Sequence, residues 1–582
     1  MKTLGLSLMF LLVGLELLGQ TSFCPNDPPL NPWLADSPYP IYHRNNYAQA
    51  STCIPGIIPG DSVVIKARTD ISGSTSPWIY FSDTYPSGER VILFSNSTHV
   101  FKFIDNGSEI VAIDSLRIDF DRFNSVGYNF MLSRNKTWFT YDPDYDPNNN
   151  EFTRIFKLTD EDPNDPYSDI VLLDEMNLGD FELNKVGAYS LNYDGQIVFN
   201  SHADLLKGWS TVGIIDQDFN MLDTLHYTLF PNEATRHNSI AIDEDNSFYI
   251  VTTHRIIQFT WDGREIRVGW QALYDFVNDG PTGNFANGSG TTPTLMGWGE
   301  GNDKLVVVAD GHERNNLVAF WRELPPGWEG VPGFDLHFAD SIAIPYAESF
   351  GNLFQSIENS PTAFGYEIAI AQFNGFLGYS CENSKGVQKF SWDTGKNEFQ
   401  LDWATNQVNM NGVLSYSSGS NLVYGTGKEE DCIYYYYGLD WNTGAIALRL
   451  PLGPEGNFPN DPFYDQGVNH IIDEKGNIYY SGSRSLIKLE KVEDLVSDKD
   501  FLAPEEIQVY PNPSEGKIFV QGLDKFSAKV TLYSLQGKLL KSWRKMDASE
   551  LDLSDLAEGM YMLCVWQGGK ILAHQKVIKG DN

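Results

Sequence analysis

Most of the features that name a protein's task are scarce or missing in these 582 residues. Positive charge is scarce: 41 Lys and Arg stand against 77 Asp and Glu, a formal net charge of −36. A field of that sign repels phosphate backbones, so nucleic acid is not an expected partner. Cysteine is scarce, with five residues, no adjacent pair, no CxxC and no Cys/His spacing of the kind zinc requires. After the first twenty residues no stretch approaches the ~20 apolar residues of a membrane-spanning helix. Long apolar patterns of period 3.6 are absent as well, which leaves an all-β chain. At this length a single ordinary core is excluded, so two domains, or one repeat architecture with an appendage, are expected.

No complete catalytic motif is found. Gly60-Asp61-Ser62-Val63 has the look of a serine-nucleophile turn, but no following helix and no partner histidine can be placed. Asp142, Asp144 and Asp146 are spaced like calcium ligands, but Pro147 stands where an EF-hand loop needs Gly. No metal site and no cofactor are therefore expected, with structural calcium left open.

What is present begins with "MKTLGLSLMFLLVGLELLGQ". One Lys precedes an apolar run from Leu4 to Leu18, so residues 1–20 read as a secretory signal peptide. Export to an oxidising compartment suits disulfides. Cys24 and Cys53 flank a Pro-rich segment, and Cys381 and Cys432 lie in adjacent repeats. These are the two expected pairs, with Cys564 left as a small buried apolar residue.

A turn followed by a short β-branched or aromatic strand recurs near Gly195, Asn246, Asp303, Gly365, Ser420 and Gly476, at gaps of 51, 57, 62, 55 and 56 residues. Two weaker copies lie near Gly88 and Lys136. Each is too short to bury a core of its own. Further hairpins follow within the period, turned by Trp261-Asp262-Gly263, Trp392-Asp393-Thr394-Gly395 and Trp441-Asn442-Thr443-Gly444. About four strands per ~50 residues is the footprint of a propeller blade. Residues 24–495 thus read as a β-propeller, eight blades favoured over seven or six. A pair of β-sandwiches would not explain the even spacing.

Asp393-Thr394-Gly395-Lys396 with Trp403, and more loosely Asp440 to Gly444, resemble the hairpin of quinoprotein-like (PQQ-repeat) propellers. The segment "SPYPIYHRNNYAQAS" (37–51) resembles the opening of the first blade in that superfamily. The resemblance implies a fold. Its dehydrogenases use adjacent cysteines, which this chain lacks, so it does not imply the quinone.

Charge breaks near residue 507: the tail carries +2 and everything before it −38. An acidic linker is expected at 496–506 and a small Ig-like β-sandwich at 507–582. The tail closely resembles the type A C-terminal sorting domain of the type IX secretion system. The matching residues are Tyr510, Pro511, Asn512, Pro513 and Gly516, then Gly537 and Lys538, then Gly559 and Tyr561, and the closing Lys576 to Lys579. The resemblance implies passage through the periplasm of a Gram-negative bacterium. It also implies recognition by the outer-membrane translocon and its sorting peptidase, and a mature protein secreted or held at the cell surface. Asp61-Ser62-Val63, Asp114-Ser115-Leu116, Asp223-Thr224-Leu225 and Asp340-Ser341-Ile342 are similar to the O-glycosylation acceptors of such bacteria.

Within a propeller, ligands meet the loops around the central channel. Loops before the innermost strands and after the second strands share one end. They carry His237, Asn238, His254, Arg255, Asp310, His312, Arg314, Asn359, Asn411, Asn469 and His470. His with Asp would serve acid–base chemistry and Arg would hold an anion. The expectation is a non-catalytic module for an extracellular glycan, polymer or protein. An exported hydrolase, lyase or sulfotransferase is the alternative, and a quinone-dependent oxidoreductase the remoter one.

Overall fold

The repeated turn and strand is, in every copy, the second strand of a blade, within a four-stranded sheet in seven copies and a five-stranded one near Ser420. The computed structural model describes residues 24–580 apart from residue 25 and 70, 72–77, 96–98, 119–130, 143–152, 182, 184–185, 203, 205–206, 236–237, 277–287, 313, 347–356, 373–385, 455, 457–460, 464–468, 493–507, 522–528, 535–538, 545–549 and 568–569. Packing divides the chain into one unit of 1–56, 67–474 and 478–488, and a second of 57–66, 475–477 and 489–582.

Eight sheets follow one another along the chain, each ordered inner to outer as the sequence runs. They cover 80–117, 131–177, 186–228, 241–273, 294–343, 362–405, 411–454 and 471–492, and are called blades 1 to 8 below. The eighth takes its fourth, outer strand from Ser62–Arg68 near the N-terminus. Blade 8 meets blade 1: Lys488 pairs with Asp105, Tyr479 donates to Asp105 (2.8 Å), and Asn469 Nδ2 donates to Ile79 O (3.2 Å). Eight blades of a β-propeller result, the architecture the repeat spacing leads one to expect.

Each blade is too thin to have a core of its own, so its apolar faces are buried against its neighbours. One apolar cluster joins blades 1 and 2 through Phe94, Phe103, Trp138 and Phe156, and another joins blades 5 and 6 through Trp321, Phe390 and Trp392. Polar staples add direction. The carboxylates of Asp114, Asp223 and Asp340, on the outer strands of blades 1, 3 and 5, each accept a backbone N–H from the outer strand of the next blade. The donors are Ile170, Ile266 and Phe399, each at 2.7 Å. Each aspartate follows an extra residue bulged into its strand, which turns the side chain toward the neighbour. The hydroxyls beside them, Ser115, Thr224 and Ser341, face solvent, as does Ser62. The hairpin aspartates act as the turn chemistry requires: Asp262, Asp393 and Asp440 each accept backbone N–H groups of their own turns.

The segment expected to open blade 1 does something else. Apart from Ser51–Thr52, which pairs in parallel with the inner strand of blade 7, residues 37–51 form no blade strand. They thread between the inner strands instead. The carbonyls of Tyr39 and Pro40 accept from Phe81 of blade 1 and Leu132 of blade 2; those of Asn46, Tyr47, Gln49 and Ala50 accept from Ile242, Leu295, Ala363 and Tyr416 of blades 4, 5, 6 and 7. Asn46 Nδ2 reaches Leu191 O of blade 3 (2.6 Å). One segment thus touches seven blades in turn. Its backbone follows the circle only by taking positive φ at His43, Arg44, Ala48 and Ala50. Cys24 and Cys53 are joined in a disulfide that closes the segment at its base, with Cα atoms 5.4 Å apart.

In the second unit, a three-stranded sheet (strands within 508–552) and a four-stranded one (strands within 529–579) share one core of Val509, Ile518, Leu532, Leu551, Leu563 and Val577. Cys564 is a free buried thiol, as expected. Cys432 is disulfide-bonded; Cys381 lies outside the described residues, as do 1–20 and 496–506.

Candidate functional site

The loops picked from sequence do lie where the inner strands begin, but their polar groups are largely engaged by the protein itself. Arg255 is buried and paired with Glu233 (2.8 Å), and it also donates to Thr228 O (2.6 Å). His254 is buried with Nδ1 on Thr253 Oγ1 (2.8 Å) and its ring 3.9 Å from that of Phe276; burial holds its pKa below the usual value. Asn238 ties two loops together by donating to Ser289 O and Thr291 O (3.2 and 3.1 Å). Asp310 is buried and takes N–H groups from His312 (3.2 Å) and from the backbone and side chain of Asn316 (2.8 and 2.6 Å). Burial nevertheless pushes its pKa up to about 6. His470 is buried between Tyr436 and Tyr480, and Asn469 is used at the joint of blades 8 and 1. Asn359 is buried with its Nδ2 unpartnered. His312 and Arg314 are exposed. His237 and the side chain of Asn411 lie outside the described residues. Arg255, His254, Asn238 and Asp310 therefore gather on adjoining loops of blades 4 and 5, each as part of the wall.

A more open arrangement lies at the other end of the inner strands, where the channel segment leaves. A shallow cleft of about 60 Å³ is walled by Pro28, Pro29, Leu34 and Pro40 and lined by Asp27, Asn31, Asp36, Arg44, Asn45, Asn46 and Arg134. Asp27 and Arg44 neutralise one another in a two-pronged pair (2.6 and 2.8 Å). Asn31 and Asn46 are spent on each other and on the Leu191 carbonyl. Among the described residues Asp36 and Arg134 form no ion pair, although both charges act on half-buried Asp83, and Asn45 Nδ2 is shielded and unpartnered. Sequence reasoning missed this site because it looked to the blades for loops. The polar run His43-Arg44-Asn45-Asn46 was the signal. A second cleft, of about 90 Å³, lies on blade 3, among Asp204, Lys207, Trp209 and His226. It sits on the blade 3 counterpart of the loops that were picked.

Among the described residues no three His, Cys, Asp or Glu side chains gather as a metal site, and no helix is long and apolar enough to cross a membrane. Of the calcium-like spacing, Asp144 and Asp146 lie outside the described residues.

In the tail, the first and last motifs come together. Asn512 clamps the final strand, donating to Lys576 O (2.6 Å) and accepting from Ile578 N (2.8 Å). Lys579 Nζ reaches Ser554 O (2.8 Å) and Leu556 O. Both Tyr510-Pro511 and Asn512-Pro513 are cis. Gly516 and Gly559 hold positive φ, and Tyr561 donates to Ala557 O (2.6 Å). Gly537 and Lys538 lie outside the described residues.

Comparison with known proteins agrees with both halves. Residues 508–579 match the family described as a secretion system C-terminal sorting domain. A protein of Archaeoglobus fulgidus, described only as uncharacterized, is 28% identical over 465 residues, covering 74% of this chain and 83% of that one. Among solved structures, quinohemoprotein alcohol dehydrogenase from Comamonas testosteroni superposes with a TM-score of 0.50 at 11% identity, over 80% of this chain and 83% of that one. A europium-containing methanol dehydrogenase gives 0.49 at 11%, over 77% and 89%. At such identity the likeness shows the fold alone, a quinoprotein-type propeller. The chain is a type IX cargo, secreted or displayed at the cell surface, and its tail engages the secretion machinery.

Proposed function

We propose that the mature protein is a non-catalytic binding module for an extracellular glycan, polymer or protein. The observation that carries this reading is the disposition of polar side chains. His254, Arg255 and Asp310, which could do chemistry on the loops where the inner strands begin, are drawn into wall-building bonds, as Arg255 is by Glu233. Unspent polar groups lie instead beside a cleft that contains no His. Residues 1–20 serve as the signal peptide, and the acidic stretch 496–506 is where the sorting peptidase would separate propeller from tail.

A quinone-dependent dehydrogenase is the reading that the names of the solved neighbours suggest. The residues here fit it poorly, because the chain's own Tyr39, His43 and Tyr47 are fully buried in the space between the inner strands. The exported enzyme reading keeps one support, the buried Asp310 with its raised pKa beside exposed His312 and Arg314. Exported protein, incubated with surface polymers and assayed for both retention and product, separates the two. Retention without product is expected. Turnover lost in His312→Ala would replace this reading with the enzyme.

A further inference from the structure

We infer that the cleft beside the channel segment is a saccharide site, with Trp33 as the platform for a neutral sugar ring. This rests on the binding-module reading and gives that ligand a class.

Trp33 is the most exposed tryptophan among the described residues, at 45%. It is nonetheless fixed. Its backbone N–H donates to Asn31 Oδ1 (2.9 Å), and its backbone carbonyl accepts from Arg134 N (2.8 Å). Its indole lies on the Gly195 backbone. A Cβ built at Gly195 would fall 2.4 Å from Cδ2 and 2.8 Å from both Cε2 and Cε3. Near-equal distances to two atoms bonded to the nearest one put that point on the ring normal, so Gly195 underlies one indole face. The turn at Gly195 has φ of +79°, a second reason for Gly there. One face is backed by main chain, and the ring's exposure is therefore on the other.

An aromatic face open to water and backed by main chain offers a ready stacking platform. Pyranose rings present a patch of C–H groups that suits such a face, with hydroxyls projecting around it. Trp33 does not line the cleft, but its chain neighbours Asn31, Leu34, Ala35 and Asp36 do, so the platform stands beside the polar wall. The groups left over there are of the types that hold hydroxyls: a carboxylate acceptor (Asp36), a guanidinium donor (Arg134) and an unsatisfied amide donor (Asn45 Nδ2). Arg134 already acts on Asp83, and Asp36 is a further acid there, so the wall suits a neutral sugar better than an acidic one. The cleft itself holds only about 60 Å³, so it takes hydroxyls while the sugar ring stacks on Trp33 outside it. It opens at the surface, as the end or side of a polymer chain requires.

The test is titration of exported full-length protein with cello-, manno- and malto-oligosaccharides, followed by calorimetry and tryptophan fluorescence. One series should bind and shift the emission. Trp33→Ala should weaken that binding at least tenfold, Trp33→Tyr should restore part of it, and Arg134→Ala should weaken it severalfold, each with an unchanged melting temperature. Binding untouched by Trp33→Ala and Arg134→Ala overturns the site while leaving the module reading intact. No binding of any series by the wild type overturns the saccharide assignment. The broader reading then falls only if the turnover assay above is positive.

Discussion

Buried among the inner strands, His43 has Nε2 3.2 Å from Thr292 Oγ1 and its ring against Tyr42, and burial pushes its pKa down to about 3. An unfolded histidine titrates near 6.5. The folded base is thus depressed: below pH ~6.5 the unfolded chain takes up a proton that the folded chain refuses. Stability from this residue is complete above that pH and is lost as pH falls toward 3, by roughly 2–3 kcal/mol at pH 4.5. His43→Gln should remove that component. Urea unfolding at pH 7 and 4.5 should show a smaller difference between the two pH values for the variant than for the wild type; an equal difference would mean that the ring is already protonated or hydrated in the fold. Trp33 was not legible as a special residue in the sequence, and His43 only as one member of a polar run. Their roles come from contacts with residues 249 and 162 positions away, Thr292 and Gly195, and no local pattern encodes such a pairing.

Strands, by contrast, were readable. All eight copies of the repeated turn and strand proved to be second strands of blades, because a buried β-strand bounded by Asn, Asp or Gly turns carries its period in a few residues. The channel segment was misread for the same reason: its positive φ values at His43, Arg44, Ala48 and Ala50 leave it with no period at all. The Asp-Ser/Thr-aliphatic triplets illustrate a third case, a motif with two readings. Their hydroxyls are exposed, as an acceptor must be, but the aspartates of three of them staple blade 1 to 2, 3 to 4 and 5 to 6. A hydrogen bond to a charged group in a partly buried joint contributes about 1.5–3 kcal/mol. Asp114→Ala, Asp223→Ala and Asp340→Ala should each lower stability by about that amount, whether or not the neighbouring hydroxyl carries sugar. Loss of stability seen only in glycosylated protein would mean that the aspartates matter through modification alone.

At the scale of the whole chain, two units do two jobs. The tail's motifs, scattered over seventy residues of sequence, meet where Asn512 clamps Lys576 and Ile578. That clamp should be needed for sorting: Asn512→Ala is expected to cut the exported fraction severalfold while the propeller still folds in the periplasm. The measurement that bears most directly on the account is cell fractionation, with intact mass, of the full chain and of residues 1–506 in a type IX-competent host. The full chain is expected outside the cell or on its surface, shortened at both ends, and the truncated chain in the periplasm with the same N-terminus. A tail retained on the exported protein, with export unchanged by its removal, would contradict the division into address and cargo.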